Sequence, residues 1–178
     1  EPIEPVVSLI ESADEEVLVQ QSYVRAWNNE NLTTNPYVDA LEERARNGVD
    51  VRVLLDGRWY YEKENAEVAD ALNESGIDAR LAAYPVHTKG VVVDGESVLV
   101  SSINWNENSP TNNREVGVVV HDKEIAGYFA NVFEKDWGAT SEDAEQEDST
   151  PQPSDYALEI VIIFVVSGIG VWLVTREI

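Results

Sequence analysis

The spacing of apolar and polar residues along the chain predicts alternating helices and strands. Helical spacing of apolar residues occurs in four segments: 6–13, 35–48, 64–76 and 123–137. Continuous or alternating apolar runs, typical of strands, occur in five: 16–24, 50–57, 77–84, 87–102 and 114–121. Such an order predicts the α/β class, with a mixed β-sheet flanked by helices.

Turn and capping residues support several of these boundaries. Asn35 and Pro36 suit the start of the second helix, and Gly48 suits its C-terminal cap. Asp94 and Gly95 separate two apolar alternating runs, which is a strong signal for a two-residue hairpin turn. Residues 87–102 are therefore predicted to form a β-hairpin.

The pattern changes after the last predicted helix. Residues 1–138 form the predicted globular domain, whereas 139–155 are rich in acid, Ser, Thr and Pro and predict a disordered linker. Residues 156–178 hold a charge-free apolar run long enough for a C-terminal transmembrane helix, with a buried core helix as the weaker alternative. Arg176 favours a cytoplasmic C-terminus, so the domain is expected outside the cytoplasm.

The net charge of the chain limits the kinds of molecule that it is expected to bind. Asp and Glu number 34 against 12 Lys and Arg, for a formal net charge of −22. Such a surface repels polyanions and itself at low salt, and concentrated salt screens both effects, so we expect a halophilic protein rather than an ordinary acidic one. Nucleic acid is the less favoured partner. The absence of Cys excludes disulfides and thiolate chemistry.

Against this acidic background, His87 and Lys89 stand out. Residues two apart on a strand share a face, so the two side chains are predicted to project together and form a small cationic pocket suited to phosphate. The hairpin returns Ser102 and Asn104 towards His87, and Glu115 is placed to accept the second imidazole N–H. The plainer alternative is a surface histidine beside a solvated lysine, with Asp94 serving only the turn.

The segment HTKGVVVD, followed by SSINW, resembles the HxKxxxxD and GSxN motif of the phospholipase D superfamily. NNREVGVVV resembles the segment that holds the conserved acid of that family, and similarity extends over about residues 6–137. Ser101 stands where the family usually has Gly. The other H-x-K spacing, at His121 and Lys123, lacks the Asp and the Ser-x-Asn that would complete a motif.

The resemblance implies a role for each matching residue. His87 would be nucleophile or general acid, Lys89 a phosphate clamp and Asp94 a supporting catalytic partner. Phosphate would be bound by Ser102 and Asn104, and Glu115 would orient His87. The family's usual mechanism implies no metal and no cofactor. It needs two motifs in each active site, so the second would come from a homodimer partner or from a missing N-terminal half.

The expected function is that of a membrane-anchored phosphodiesterase that hydrolyses or transfers phospholipid headgroups through a phosphohistidine. Three alternatives remain open from the sequence. They are a dimeric endonuclease of the same superfamily, a phosphatidyltransferase similar to cardiolipin synthase, and a degenerate domain that serves surface assembly.

Overall fold

The computed structural model of the chain describes residues 3–28, 32–58 and 60–139. The strands are β1 (Glu16–Gln21), β2 (Asp50–Asp56), β3 (Asp78–Ala82), β4 (Lys89–Val93), β5 (Ser97–Ser101) and β6 (Gly117–His121). The helices are α1 (Ile3–Glu11), α2 (Pro36–Arg46), α3 (Glu62–Glu74), α4 (Asn108–Asn112) and α5 (Lys123–Gly138).

The strands form one mixed sheet in the order β3-β2-β1-β4-β5-β6. β1, β2 and β3 are parallel, because α2 and α3 return the chain to the same end of the sheet between them. β4, β5 and β6 follow as antiparallel neighbours. The predicted α/β class and mixed sheet are confirmed.

The central strands are covered on both faces. Val17 and Val19 point to the larger core, which is shared with α1, α2 and α3. Leu18 points to the opposite face and packs with Phe133 and Ala126 of α5. Coverage of both faces explains why β1 is a continuous apolar run rather than an alternating one.

The hairpin at 87–102 is confirmed, with both Asp94 and Gly95 in left-handed conformation at its turn (φ 53° and 61°). Several strands are shorter than predicted. In particular, β4 begins at Lys89, so His87 lies in the extended segment before the strand rather than on it. The short helix α4 was not predicted.

No helix within residues 3–28, 32–58 and 60–139 is long and apolar enough to cross a bilayer. The predicted anchor at 156–178 lies outside the described residues, as does all but the first residue of the predicted linker at 139–155. Both stay predictions.

Candidate active site

The candidate side chains converge at one end of the sheet. Gln21, the last residue of β1, pairs with Lys89, the first residue of β4. Ser101, the last residue of β5, pairs with Gly117, the first residue of β6. Segments that leave or enter these four strands therefore meet here. We call this the site end of the sheet.

Lys89 is a buried cation with fixed partners. Only 7% of the residue is exposed, and its Nζ donates to Ser22 Oγ and to the backbone carbonyl of His87, both at 2.8 Å. An ammonium has three N–H groups, so one remains for a substrate oxygen. Burial lowers the pKa of Lys89, and the nearby negative charge of Glu115 opposes that shift. The ammonium thus has both the charge and a spare donor for a phosphate.

Ser22 is itself held by Asn65, a fully buried residue of α3. The side-chain amide of Asn65 donates to the carbonyls of Ser22 and Asp56, both at 2.8 Å. These carbonyls lie at the ends of β1 and β2, so one amide fixes both strand ends beside Lys89. Sequence reasoning missed Ser22 and Asn65, because neither belongs to a motif and both act through packing between distant segments.

The imidazole of His87 is exposed at the site end. Within the described part of the chain, no hydrogen bond to the ring nitrogens of His87 is formed. The segment that carries the ring is nevertheless fixed, because Lys89 donates to the His87 carbonyl. The backbone of His87 therefore lies beside the Lys89 ammonium, and the His87 side chain is exposed, while the predicted pairing of the two side chains on one face stays a prediction.

Within the described chain Glu115 does not accept a hydrogen bond from the His87 ring, so its orienting role stays a prediction. Its carboxylate instead accepts hydrogen bonds from Ser102 Oγ, from Ser109 Oγ at 2.5 Å and from Asn113 Nδ2 at 3.1 Å. The physical reason is that α4 provides Ser109 and the loop after it provides Asn113, and both donate hydrogen bonds to the carboxylate oxygens of Glu115. Partial burial raises the pKa of Glu115, but the three hydrogen bonds and the charge of Lys89 outweigh it, and the net shift is downward.

Ser102 and Asn104 lie in the same network. Besides donating to Glu115, Ser102 Oγ accepts from the backbone N–H of Val116 at 3.1 Å. The backbone N–H of Asn104 donates to Ser109 Oγ at 3.0 Å. Asn104 Oδ1 is buried, with no hydrogen-bond partner among the described residues. The structure thus brings Ser102, Asn104 and Glu115 together near Lys89, while direct phosphate binding stays a prediction.

Asp94 directly follows β4 at the end away from the site, so the structure does not bring it to His87 and Lys89, and its catalytic role stays a prediction. Five residues at about 3.3 Å each separate it from Lys89 by about 16 Å. Its carboxylate accepts three backbone hydrogen bonds, from Asp14 at 2.9 Å and from Glu15 and Glu16 at 2.8 Å. Burial opposes ionisation, but these bonds outweigh it and lower the pKa of Asp94. Asp94 therefore stabilises the conformation of the loop that leads into β1.

Ser101, which stands where the family usually has Gly, is held by two hydrogen bonds. Its Oγ donates to the Lys89 carbonyl at 3.2 Å and accepts from the Ile103 N–H at 3.3 Å. Across the strand pair stands Gly117, where an added Cβ would lie only 3.2 Å from the Cβ of Ser101. The glycine on β6 therefore leaves the space that Ser101 occupies on β5.

A protein-family model described as "Cardiolipin synthase, PLD-like domain" matches residues 6–137, which is most of the chain and contains every candidate residue above. The chain belongs to the phospholipase D superfamily. Its fold is similar to that of the phospholipase D family member Nuc from Salmonella typhimurium, with a TM-score of 0.65 and 25% identity over 75% of this chain and 85% of that one.

Curated relatives of this phospholipase D-like chain include a mitochondrial cardiolipin hydrolase from Homo sapiens, 33% identical over 51% of this chain and 36% of the relative. Cardiolipin synthase 1 from Staphylococcus epidermidis is 27% identical over 72% of this chain and 26% of the relative. The chain thus spans less than half the length of the curated relatives it matches.

Proposed function

We propose that this chain is a phosphodiesterase that hydrolyses or transfers the headgroup of phospholipids through a phosphohistidine, at a membrane to which residues 156–178 anchor it. The observation that carries the proposal is the environment of Lys89. A buried ammonium with one unused donor, beside an exposed imidazole, is a phosphate-binding arrangement in a chain whose net charge is −22.

In the proposed reaction, a neutral ring nitrogen of His87 attacks phosphorus. The bond between phosphorus and the leaving alcohol oxygen breaks as the bond from nitrogen to phosphorus forms. A second imidazolium gives its proton to the leaving oxygen. Water or an acceptor alcohol then attacks phosphorus, the second imidazole takes the proton, and His87 leaves as the neutral ring.

Charge develops on the non-bridging phosphate oxygens during both steps. Lys89 is placed to neutralise that charge, and its partners Ser22 and the His87 carbonyl keep it in position. The amide of Asn104 is the second proposed phosphate contact. Ser102 already donates to Glu115, so its proposed contact with phosphate requires its hydroxyl to turn.

The second imidazole has to come from another motif. The described part of the chain provides His87 at the site end, whereas His121 hydrogen-bonds Ser97 Oγ at 2.8 Å at the end of the sheet where β6 finishes. We propose that a second copy of the chain supplies it, the alternative source being an N-terminal half of a longer protein. A homodimer with two-fold symmetry would place equivalent histidines across one site.

Two observations favour phospholipid as substrate. Curated relatives over this region are named cardiolipin hydrolase and cardiolipin synthase. In addition, the apolar run at 156–178 would hold the domain close to lipid headgroups. With Arg176 on the cytoplasmic side, the domain would act outside the cytoplasm.

The second candidate is an endonuclease. The observation in its favour is the likeness to Nuc, a family member of which this chain covers 85%. The net charge of −22 opposes it, because an acidic surface repels a polyanion at low salt, and screening weakens this objection in concentrated salt.

The test uses the full chain in detergent micelles and molar KCl. Phosphatidylcholine, cardiolipin and single-stranded DNA are offered separately to the unchanged chain, to His87→Ala and to His121→Ala. We expect lipid headgroup release that falls at least about 10³-fold in His87→Ala and is unchanged in His121→Ala. DNA cleavage without lipid cleavage would favour the nuclease, and no cleavage of any substrate would contradict both candidates.

A further inference from the structure

A small cavity opens beside the candidate active site, between the loop that follows β1 and the segment that leads into α4. Its volume is about 320 Å³, at the lower end of the range for ligand pockets, which suits a small polar group better than an acyl chain. We call it the Tyr23 cavity. The polar residues that line it are Tyr23, Arg25, Asn28, Asn106, Glu107 and Asn108.

Both walls of the Tyr23 cavity are joined to residues of the candidate active site. Tyr23 directly follows Ser22, whose Oγ accepts a hydrogen bond from the Lys89 ammonium. On the other wall, the backbone N–H of Asn106 donates to the Asn104 carbonyl at 2.9 Å. Asn106 Nδ2 also donates to the Tyr23 hydroxyl oxygen at 2.6 Å, which connects the two walls. A phosphate held by Lys89 and Asn104 would therefore have this cavity beside it.

Hydrogen bonds hold both walls in position. The backbone N–H of Arg25 donates to the Trp105 carbonyl at 2.9 Å, which ties the first wall to the second. The backbone N–H of Ser109 donates to Asn106 Oδ1 at 2.8 Å. The hydroxyl of the same Ser109 donates to Glu115, so the cavity and the candidate active site share a support. A cavity fixed in this way can discriminate between ligands by shape and charge.

The aromatic ring of Tyr23 already has two partners. Tyr61 stacks on it with the ring centroids 4.5 Å apart, and the Arg25 guanidinium lies over it at 5.1 Å from the centroid. A cation within about 6 Å of a ring centroid is attracted by the ring, and aromatic side chains recognise quaternary ammonium groups in this way. Arg25 therefore occupies the place on Tyr23 that a choline headgroup would need, and its positive charge opposes a second cation there.

The cavity carries both signs of charge. Arg25 lies in the first wall, paired with Glu64 at 2.7 Å, and Glu107 lies in the second. A cationic group would meet Arg25, and an anionic group would meet Glu107. Both Nε and Nη2 of Arg25 donate to Glu64 Oε2, so the edge that binds a carboxylate in two places is already in use. Choline and serine headgroups are therefore poor matches for this lining.

Hydroxyl groups suit the lining because each can donate and accept. A hydroxyl can donate to the carboxylate of Glu107 and accept from the side-chain amide of Asn108. The Tyr23 oxygen accepts from Asn106, which leaves the phenolic hydrogen to donate to a ligand. Burial raises the pKa of Tyr23, so this hydrogen is retained at neutral pH.

We propose that the Tyr23 cavity binds the leaving alcohol of the phosphodiester, that this alcohol is an uncharged headgroup with free hydroxyl groups, and that Arg25 determines this specificity by excluding choline. The inference rests on the proposed function for the reaction, and on the side chains of the cavity for the headgroup. Phosphatidylglycerol is the simplest lipid of this class.

The experiment compares kcat/KM for headgroup release from phosphatidylglycerol, phosphatidylcholine and phosphatidylserine, with the full chain in detergent micelles and molar KCl. We expect phosphatidylglycerol to be preferred over both others. Arg25→Ala should lower the preference over phosphatidylcholine at least about 10-fold, because the Tyr23 ring becomes accessible to the trimethylammonium group. Arg25→Lys keeps a cation beside the ring and should retain most of the preference.

Arg46→Ala is the matched control. It removes an exposed arginine from the last turn of α2, at the end of the sheet opposite the site end, and should leave all three rates unchanged. Tyr23→Phe keeps the ring and loses the hydroxyl. We expect it to lower kcat/KM for phosphatidylglycerol and to leave that for phosphatidylcholine unchanged, because only the first headgroup accepts a hydrogen bond there.

A binding measurement separates the cavity from the reaction. Calorimetry with His87→Ala compares glycerol 3-phosphate with phosphocholine, two probes that carry the same phosphate on different headgroups. We expect tighter binding of glycerol 3-phosphate, and loss of this difference when Arg25→Ala is added.

A preference for phosphatidylcholine or phosphatidylserine, an unchanged ratio in Arg25→Ala, or equal binding of the two probes would overturn the inference and leave the proposed function intact. The proposed function fails separately, when no lipid is cleaved although glycerol 3-phosphate binds in preference to phosphocholine through Arg25.

Discussion

Lys89 shows how a single motif residue depends on residues outside the motif. Its ammonium donates two hydrogen bonds, to Ser22 Oγ and to the His87 carbonyl. The side-chain amide of Asn65 in turn donates to the backbone carbonyl of Ser22. The lysine is thereby fixed before substrate arrives, which avoids the entropy cost of ordering a long flexible side chain on binding.

The first prediction concerns the pH dependence of Lys89. Burial lowers its pKa, so the ammonium loses its proton at a lower pH than an ordinary lysine as the solution becomes alkaline. We expect kcat/KM for headgroup release to fall on the alkaline side below the usual lysine pKa of about 10.4. Lys89→Arg cannot titrate in this range, so it should be less active but lack this decline. An identical alkaline limb in Lys89→Arg would contradict the assignment.

The second prediction concerns Asp94. Asp94→Ala removes three charge-assisted hydrogen bonds, so we expect the free energy of unfolding to fall by about 2 kcal/mol at neutral pH. The pKa of Asp94 is lowered in the folded state, so its stabilisation is complete above the unfolded value of about 3.9 and is lost as pH falls through the lowered pKa. The difference between Asp94→Ala and the unchanged chain should therefore shrink on acidification.

Denaturant titration at several pH values checks this prediction, with Glu96→Ala as the control at the same turn. Below the melting temperature, kcat for headgroup release should be unchanged in Asp94→Ala. A loss of kcat without a loss of stability would instead support a catalytic role for Asp94.

Only part of the site could be predicted from the sequence. The spacing of His87 and Lys89 was sufficient to place them together, because two residues along a chain cannot lie far apart. Ser109 and Asn65 could not be found this way, because their partners lie on other segments and are chosen by packing. The hydrogen bonds that Glu115 accepts from Ser109 and Asn113 could not be predicted, because α4, which carries Ser109, is too short to show a sequence periodicity.

At the scale of elements, β5 and β6 leave no room for a second side chain where Ser101 and Gly117 pair at the site end. Ser101 and Gly117 face each other, and the side chain of the first fills the space that the second leaves empty. Ser101 is the position at which the sequence departs from the family motif, and its side chain lies opposite a glycine. This pairing also fixes the position of Ser102, which directly follows Ser101, and of Glu115, which lies two residues before Gly117.

The third prediction is a double-mutant cycle at this point. Gly117→Ala should destabilise the chain by about 1–2 kcal/mol, because the new Cβ meets Ser101. The same change should cost less in a Ser101→Gly background, giving a coupling of about 0.5–1.5 kcal/mol in urea titrations. Additive effects of the two substitutions would show that the contact does not constrain the strands.

Long periodic elements were the most predictable. The hairpin and α2, α3 and α5 carry strong turn, cap or periodicity signals, and all are present. α4 spans only Asn108–Asn112, too short for a periodic pattern to develop. β4 begins at Lys89 rather than at the predicted His87, because the two-residue spacing of His87, Lys89, Val91 and Val93 fits a strand equally well at both starting points.

At the scale of the whole molecule, the net charge of −22 is expected to make the stability of the fold depend on salt. The fourth prediction is that the melting temperature rises by at least about 5 °C between 0.1 and 3 M KCl, equivalent to roughly 1 kcal/mol. Salt at these concentrations shortens the Debye length from about 10 Å to a few Å or less and screens the repulsion among acidic residues. A melting temperature that does not change between 0.1 and 3 M KCl would contradict the halophilic interpretation.

The central claim is that His87 forms a covalent bond to phosphorus. The most direct measurement is mass spectrometry of the full chain, quenched during turnover of a phospholipid and digested under alkaline conditions that preserve phosphohistidine. We expect a phosphorus adduct on the peptide containing His87 and none on the peptide containing His121. Turnover that proceeds in His87→Ala, or an adduct on another residue, would contradict the account.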